Sequence, residues 1–304
     1  MKFKNVAALF MLVLSIAAFL GVQVWFGRTG EAAESTEAVE VGQVKKSLWI
    51  TLKSPYAVMI ELETGKELYG KKSSEKMYPA SMTKIMTAIV ALENLEDKKE
   101  LVTLSDEMFQ IIRNENAVTA GFESYEEVPA IELLYGLMMM SGAECAIGLA
   151  EHVSGSEEAF VELMNEKALK LGMENTHFVN TTGLHDDNHY STASDIATLL
   201  RYALTNETFY DLITTSVHST VGTDAHPGGV TFRSTLFANL AIQSLNNGVV
   251  LGGKTGFTDE AGQCLASFAE MDGKRLIMVT GGANTRMEYI DDAYRAYGAV
   301  KTVQ

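Results

Sequence analysis

Pro79-Ala80-Ser81-Met82-Thr83-Lys84-Ile85-Met86-Thr87-Ala88-Ile89-Val90-Ala91-Leu92-Glu93 is the stretch on which the reading of the chain turns. Its apolar residues recur at helical spacing, and a proline just ahead of the first turn is an expected way for a helix to begin. Ser81 and Lys84 are three residues apart, so their side chains share one face about a turn apart. A serine hydroxyl is a weak nucleophile until a neighbouring base takes its proton, and a desolvated lysine can be that base. The helix N-terminus adds a positive dipole end where an oxyanion would develop. Ser-x-x-Lys also arises by chance on many helices, so the pair needs partners before it means catalysis.

Upstream of this helix, residues 56–62 and 66–69 read as short strands joined by Glu63-Thr64-Gly65 in a hairpin. Downstream, helical spacing recurs over residues 131–140, 143–153, 156–171 and 194–204, with Ser156-Glu157-Glu158 as a capping serine and acidic first turn. The last third changes character. Residues 249–256, 263–269 and 275–280 read as strands, the last two joined by Asp272-Gly273, a strong hairpin signal, and residues 290–297 as a closing helix. Strands at both ends with helices between them predict an α+β domain, one antiparallel sheet assembled from both ends and flanked by helices, with a helical subdomain inserted. No repeat of 20 to 50 residues is visible, which sets solenoids and propellers aside.

Two further segments carry candidate chemistry. Ser141-Gly142-Ala143 breaks two apolar helical runs; a serine there either relays a proton or simply caps a helix. In Gly252-Gly253-Lys254-Thr255-Gly256, glycines on a strand let a ligand or another backbone approach closely. Lys254 and Thr255 could then hold a carboxylate, with the Phe257 amide facing a reacting carbonyl. The spacing of a phosphate loop is absent, and an edge-strand glycine cluster is the plainer alternative.

Ser-x-x-Lys, then Ser-Gly-x, then Lys-Thr-Gly, in that order on helix, loop and strand, resembles the motif set of penicillin-binding proteins and serine β-lactamases. The flanks narrow the resemblance. Tyr78-Pro79-Ala80, Ser154-Gly155-Ser156-Glu157-Glu158-Ala159-Phe160, Leu171 to Asn180, Gly183-Leu184-His185, His189-Tyr190-Ser191-Thr192-Ala193 and Gly253 to Thr258 are similar to the D-alanyl-D-alanine carboxypeptidases, the low-molecular-mass penicillin-binding proteins. The resemblance spans residues 56–297. It implies a serine β-lactamase/transpeptidase-like fold and a serine D-Ala-D-Ala carboxypeptidase acting on peptidoglycan stem peptides, with β-lactams as covalent inhibitors and no metal or organic cofactor. Ser81 would be the nucleophile, Lys84 the acylation base and Ser141 the proton relay. Lys254 and Thr255 would hold the terminal carboxylate, beside Gly142 and Gly256, and the amides of Ser81 and Phe257 would form the oxyanion hole.

One departure stands out. Ala143 occupies a position where the family usually has asparagine, an amide that normally contacts substrate and the first lysine. Loss of a hydrogen bond to a charged group is worth roughly 1.5–3 kcal/mol, so turnover is the property placed in question; Glu144 is a partial substitute at best. Two rivals follow: a serine β-lactamase, for which Glu166 would be the water-activating acid, and a catalytically weak peptidoglycan-binding protein. An esterase or amidase on the same scaffold is a minor third.

Composition bounds the rest. The 304 residues are 47% hydrophobic and 21% charged, enough apolar content for a sizeable core. The net charge of -15 disfavours nucleic-acid binding. Two cysteines, Cys145 and Cys264, without ligand spacing give no zinc signature, and two independent buried thiols are expected rather than a disulfide. His177, His185 and His189 fall in family-like segments and are read as structural, while Arg286 is either substrate-facing or a surface arginine. Lys2 and Lys4 precede an apolar run over residues 6–26, about as long as a membrane-spanning helix requires. Residues 1–27 are therefore expected to be a signal peptide or N-terminal membrane anchor, 28–48 a polar acidic linker, and 49–304 the enzymatic domain, outside the cytoplasm. The sequence ends at Gln304, soon after the last family-like helix, so the appended β-rich domain and C-terminal anchor of many relatives are expected to be absent.

Overall fold

Alternation along the strands builds a sheet with two buried faces. In a computed structural model describing residues 50–240 and 245–300, β1 (Tyr56–Glu61) turns through Gly65 into β2 (Glu67–Lys71). A 3₁₀ turn, Ala80–Thr83, runs directly into α1 (Lys84–Asn94). Then come β3 (Leu101–Thr103), α2 (Asp106–Asn114), β4 (Glu127–Pro129) and α3 (Ala130–Tyr135). A π-helical turn, Gly136–Met140, precedes α4 (Ala143–Ser154), α5 (Glu157–Lys170), α6 (Ala193–Ala203) and α7 (Glu207–Thr214). The chain continues with β5 (Val217–Ser219), β6 (Thr231–Arg233) and α8 (Thr235–Leu240). It closes with β7 (Gly248–Thr258), β8 (Gly262–Met271), β9 (Lys274–Ala283) and α9 (Arg286–Ala299).

The main sheet has the order β2-β1-β9-β8-β7 and is antiparallel throughout. Val58, Ile60, Ala266, Phe268, Ile277 and Val279 pack on one face with α6 and the helical subdomain. Ala57, Met59, Leu265, Ala269, Leu276 and Met278 pack on the other against Tyr289, Ile290, Ala293, Ala296 and Tyr297 of α9. A strand residue and its neighbour point to opposite faces, so helices on both sides require the near-continuous apolar strands observed. Asp272 and Gly273 both have positive φ, 49° and 76°, the geometry of the two-residue turn expected between β8 and β9.

Two features depart from the pattern read in the sequence. The helix expected over 131–140 is α3 followed by the wider π turn, ending at Ser141 in the left-handed region with φ 66°. Gly136 lies in that turn with no room for a side chain, since a Cβ would sit 2.6 Å from Cys145 Sγ. The helical subdomain also carries two ribbons, β3–β4 and β5–β6, whose three-residue strands are too short to show alternation. The apolar run 6–26 and linker 28–48 lie outside the described residues. Among the described residues no helix is long and apolar enough to cross a membrane.

Candidate active site

Ser81 sits in the 3₁₀ turn that opens α1, directly after Ala80, which has φ +46°. An alanine in the left-handed region is strained by about 1–2 kcal/mol, and its surroundings hold it there. Gly183, φ +80°, presses on the Ala80 carbonyl, and a Cβ on Gly256 of β7 would be 3.0 Å from the Ser81 amide nitrogen. Both sides of the Ser81 backbone are thus packed by glycine, one from a loop and one from a strand.

Lys84, on the first turn of α1, is buried. Its Nζ donates to Ser81 Oγ at 3.3 Å and to the Thr182 carbonyl at 2.5 Å. Burial lowers its pKa to about 8, opposed by the nearby acids Glu144 and Glu157. The Thr182 loop is fixed in turn: Asn180 Oδ1 accepts the amides of Thr182 and Gly183, and Thr87 Oγ1 on α1 donates to the Thr181 carbonyl.

Across the cleft, Lys254 Nζ donates to Ser141 Oγ and to the Thr255 carbonyl, both at 3.0 Å. Burial, with the Lys84 charge as a second cause, drives Lys254 well below the ordinary lysine range. Ser141 is placed by the π turn and α4, and the Ala143 amide donates to the Val118 carbonyl at 2.8 Å. Gly142 has no room for a side chain: a Cβ would meet Ala120 Cβ at 2.8 Å and Cys145 Sγ at 2.9 Å. Thr255 Oγ1 lies 3.2 Å from Thr235 Oγ1 of α8. Gly252 and Gly253 answer to close backbone approach, since Cβ atoms there would be 2.4 Å from the Ile213 carbonyl oxygen and 2.5 Å from that of Ala266.

These residues open on a cleft of about 420 Å³ lined by Ser81, Ser141, Thr255, Gly256, Phe257 and Arg286, with Val118 on its wall. Of the site residues expected from the sequence, Ser81, Ser141, Thr255, Gly256 and Phe257 line this cleft, and Lys84 and Lys254 reach it from behind through the two serines. Arg286, at the start of α9, also lines it. A larger hollow of about 610 Å³ lined by Glu63, Lys170, Arg201 and Arg275 contains no nucleophile–base pair.

The remaining candidates separate from the site. Glu144 is no stand-in for the missing asparagine: its Oε1 accepts the Ala120 and Gly121 amides at 2.6 and 3.0 Å. Glu166 is exposed on α5 and pairs with Lys170 at 3.4 Å, one turn along the same helix. His189 is a satisfied interior histidine. Its Nδ1 accepts the Val179 amide at 3.2 Å, which puts the proton on Nε2, and Nε2 donates to Thr83 Oγ1 at 2.8 Å. Burial lowers its pKa to about 4. His177 Nδ1 donates to the Asn188 carbonyl at 2.7 Å. No cluster of three metal-ligating side chains occurs among the described residues. Cys145 and Cys264 are separate buried thiols. Sequence reasoning missed the Thr182 carbonyl, Thr235 and Val118; none carries a local pattern that points to Lys84, Thr255 or the cleft.

Comparison with known proteins follows the same lines. The family model described as D-alanyl-D-alanine carboxypeptidase matches residues 41–285. The chain is 38% identical over 239 residues to D-alanyl-D-alanine carboxypeptidase DacF of Bacillus subtilis, covering 76% of this chain and 58% of that protein. It is 32% identical over 268 residues to DacC of Escherichia coli, covering 86% and 62%. It thus spans about three fifths of the length of these relatives. Among solved structures, the Streptomyces K15 DD-transpeptidase superposes with a TM-score of 0.75 at 28% identity, over 82% of this chain and 98% of that one. A Ser-x-x-Lys helix, a serine turn and a Lys-Thr-Gly strand around one cleft, with a match running through all three, place this chain in the D-alanyl-D-alanine carboxypeptidase family.

Proposed function

We propose that the chain is a serine D,D-carboxypeptidase that removes the terminal D-alanine from peptidoglycan stem peptides through an acyl-enzyme on Ser81. One arrangement carries the reading: a buried lysine 3.3 Å from Ser81 Oγ faces a second buried lysine 3.0 Å from Ser141 Oγ in the same cleft. With a pKa of about 8, Lys84 is neutral in roughly a tenth of molecules at pH 7, enough for a base whose conjugate acid must also give its proton back. Ser81 Oγ attacks the carbonyl of the penultimate D-alanine while its proton passes to Lys84. The tetrahedral oxyanion is received by the amides of Ser81 and Phe257, a type of donor worth about 10²–10³ in rate. Ser141 hands a proton to the leaving nitrogen, free D-alanine departs, and water attacks the ester to restore Ser81. Lys254 and Thr255 hold the terminal carboxylate, with Arg286 adding positive charge at the cleft rim.

This chemistry belongs outside the cytoplasm, where stem peptides and β-lactams are met. We assign the enzymatic domain to residues 49–304, held at the outer face of the membrane by residues 1–27 as anchor or delivered by them as a cleaved signal. A second reading, β-lactam binding with weak turnover, is favoured by Ala143, which leaves Lys84 with Ser81 Oγ and the Thr182 carbonyl as its hydrogen-bond partners among the described residues. The full-length protein is incubated with a tripeptide ending in D-Ala-D-Ala, and the Ser81 adduct with a fluorescent penicillin is mapped by mass spectrometry. Release of D-alanine with slow loss of the adduct supports the carboxypeptidase. Labelling without release supports the weak binder, rapid adduct turnover makes the chain a β-lactamase, and neither labelling nor release refutes the assignment of Ser81.

A further inference from the structure

Glu144 is wholly buried in the first turn of α4, one residue beyond the alanine that replaces the family's asparagine. Its Oε1 accepts two backbone amides, those of Ala120 and Gly121, while its Oε2 has no hydrogen-bond partner among the described residues. A buried carboxylate with one bare oxygen is costly. An anchor for two amides does not require it, because a glutamine carbonyl could accept the same bonds without charge. The charge therefore needs another use.

Two neighbours supply one. The 118–121 segment that Glu144 holds is also tied to the serine turn by the Ala143 amide on the Val118 carbonyl, and Val118 walls the cleft. Helix α1, which carries Lys84, packs against α4. The ionisable groups around Lys84 are Glu144 and Cys145 of α4, Glu157 at the head of α5, Lys254 of β7 and His189. Burial pushes the Cys145 thiol far up, so it stays neutral, and His189 is neutral above about pH 4. Glu157 Oε1 is taken by the amide and hydroxyl of Thr181, at 2.8 and 2.6 Å. Lys254 repels Lys84. Glu157 is only half-buried and screened by water, whereas Glu144 is wholly buried with Oε2 unpartnered among the described residues, which makes it the least screened acid around Lys84. Burial raises its own pKa, while the amides of Gly121, Glu144, Ala120 and Phe122 and the positive end of the α4 dipole act against that rise.

Resting on the D,D-peptidase reading of Ser81, we propose that Glu144 is a positioning residue of the acyl-transfer site, clamping the 118–121 cleft wall to the Ser141 turn and standing as the counter-charge behind Lys84. Its negative charge favours the ammonium form of Lys84, so removing the charge makes the neutral base available at lower pH. The acidic limb of acylation then moves down.

The test measures acylation of Ser81 by a fluorescent penicillin between about pH 5 and 9 in wild type, E144Q, E144D and E144A, all full length. E144Q is expected to move the acidic limb down by about half a pH unit or more while keeping the clamp. E144A is expected to show the same displacement with a further loss of about 10-fold or more in rate, because the cleft wall is released. E144D keeps the charge, so its limb should stay at the wild-type position. A thermal melt of each variant shows which are folded; if E144Q is not, E144D against E144A makes the same comparison. An E144Q limb that superimposes on wild type, or moves up, overturns the proposal. Absence of wild-type labelling would instead refute the role of Ser81, so the two failures are distinct.

Discussion

Consider Gly183→Ala, a change of one methyl group in a residue that takes no part in the chemistry. An added Cβ would lie 2.0 Å from the Ala80 carbonyl oxygen and 2.4 Å from its carbon, where real Cβ contacts essentially never fall below 3.0 Å. Backbone, not a flexible side chain, is in the way, so the Ala80–Ser81 peptide must retreat by about 1 Å. Ala80 is already at φ +46° and Gly183 at +80°, which adds about 1–2 kcal/mol of left-handed strain for the new alanine. Overpacking of this kind costs about 1–3 kcal/mol. Together they give about 2–5 kcal/mol of destabilisation, or a melting temperature lower by roughly 5–15 °C in a domain of this size. A 1 Å displacement of the nucleophile costs on the order of 10²-fold in rate. Gly155→Ala is the control. It has φ +83° with nothing within 4 Å of its Cβ, so it carries the conformational strain without the collision. Both variants would be measured by thermal melting and by acylation with a fluorescent penicillin. If G183A acylates and melts like G155A, the claim that this loop positions Ser81 by contact is wrong.

Acylation in the wild type should rise with pH through a midpoint near 8, as Lys84 loses its proton; a flat profile between about pH 6 and 9 would remove Lys84 as the base. His189 has a folded pKa of about 4 against 6.5 for an ordinary histidine, so the unfolded chain binds more protons between these values. Its contribution to stability is fully present above about pH 6.5 and is lost as pH falls towards 4, by about 3 kcal/mol in all; urea titrations should show a shallower acid loss in His189→Gln than in wild type. Glu166→Gln should leave the lifetime of the penicillin adduct within about 2-fold, because this side chain is exposed and paired with Lys170 away from the cleft. A rise in lifetime of about 10-fold or more would reopen the β-lactamase reading.

The parts of the site that could be read from the chain are those whose residues are close in sequence. Ser81 and Lys84 are one turn apart, Lys254 and Thr255 are neighbours, and the order of motifs along the chain ties them together. The β8–β9 hairpin was legible for the same reason, Asp272-Gly273 being a local turn code. Contacts made across long separations left no trace. The Lys84–Thr182 bond joins the first turn of α1 to a loop 98 residues away, and nothing in Thr182 distinguishes it from Thr181. The π turn before Ser141 looks like ordinary helix in an apolar run, since widening by one residue preserves composition. The strain at Ala80 was invisible because an alanine gives no sign that its backbone is held at positive φ. Glu144 was read as a possible aid to the missing asparagine, yet its carboxyl faces the 120–121 amides, a direction that depends on where a segment 23 and 24 residues upstream passes.

The sheet order has a consequence in time. β1 lies between β2 and β9, with Tyr56 opposite Gly281 and Glu61 opposite Leu276, so the first strand of the domain receives its second neighbour only when the last one emerges. Contacts of such high sequence separation form late and slowly. A growing chain that has completed α1 carries Ser81 and Lys84 long before β7 delivers Lys254 and Thr255, and before β8 and β9 bind β7 to the β1–β2 ribbon. Until then Ser81 has Lys84 beside it but neither the second lysine nor the strand that narrows the cleft. The constellation of Ser81, Lys84, Ser141, Lys254 and Thr255 is therefore complete only once the last hairpin has joined the sheet.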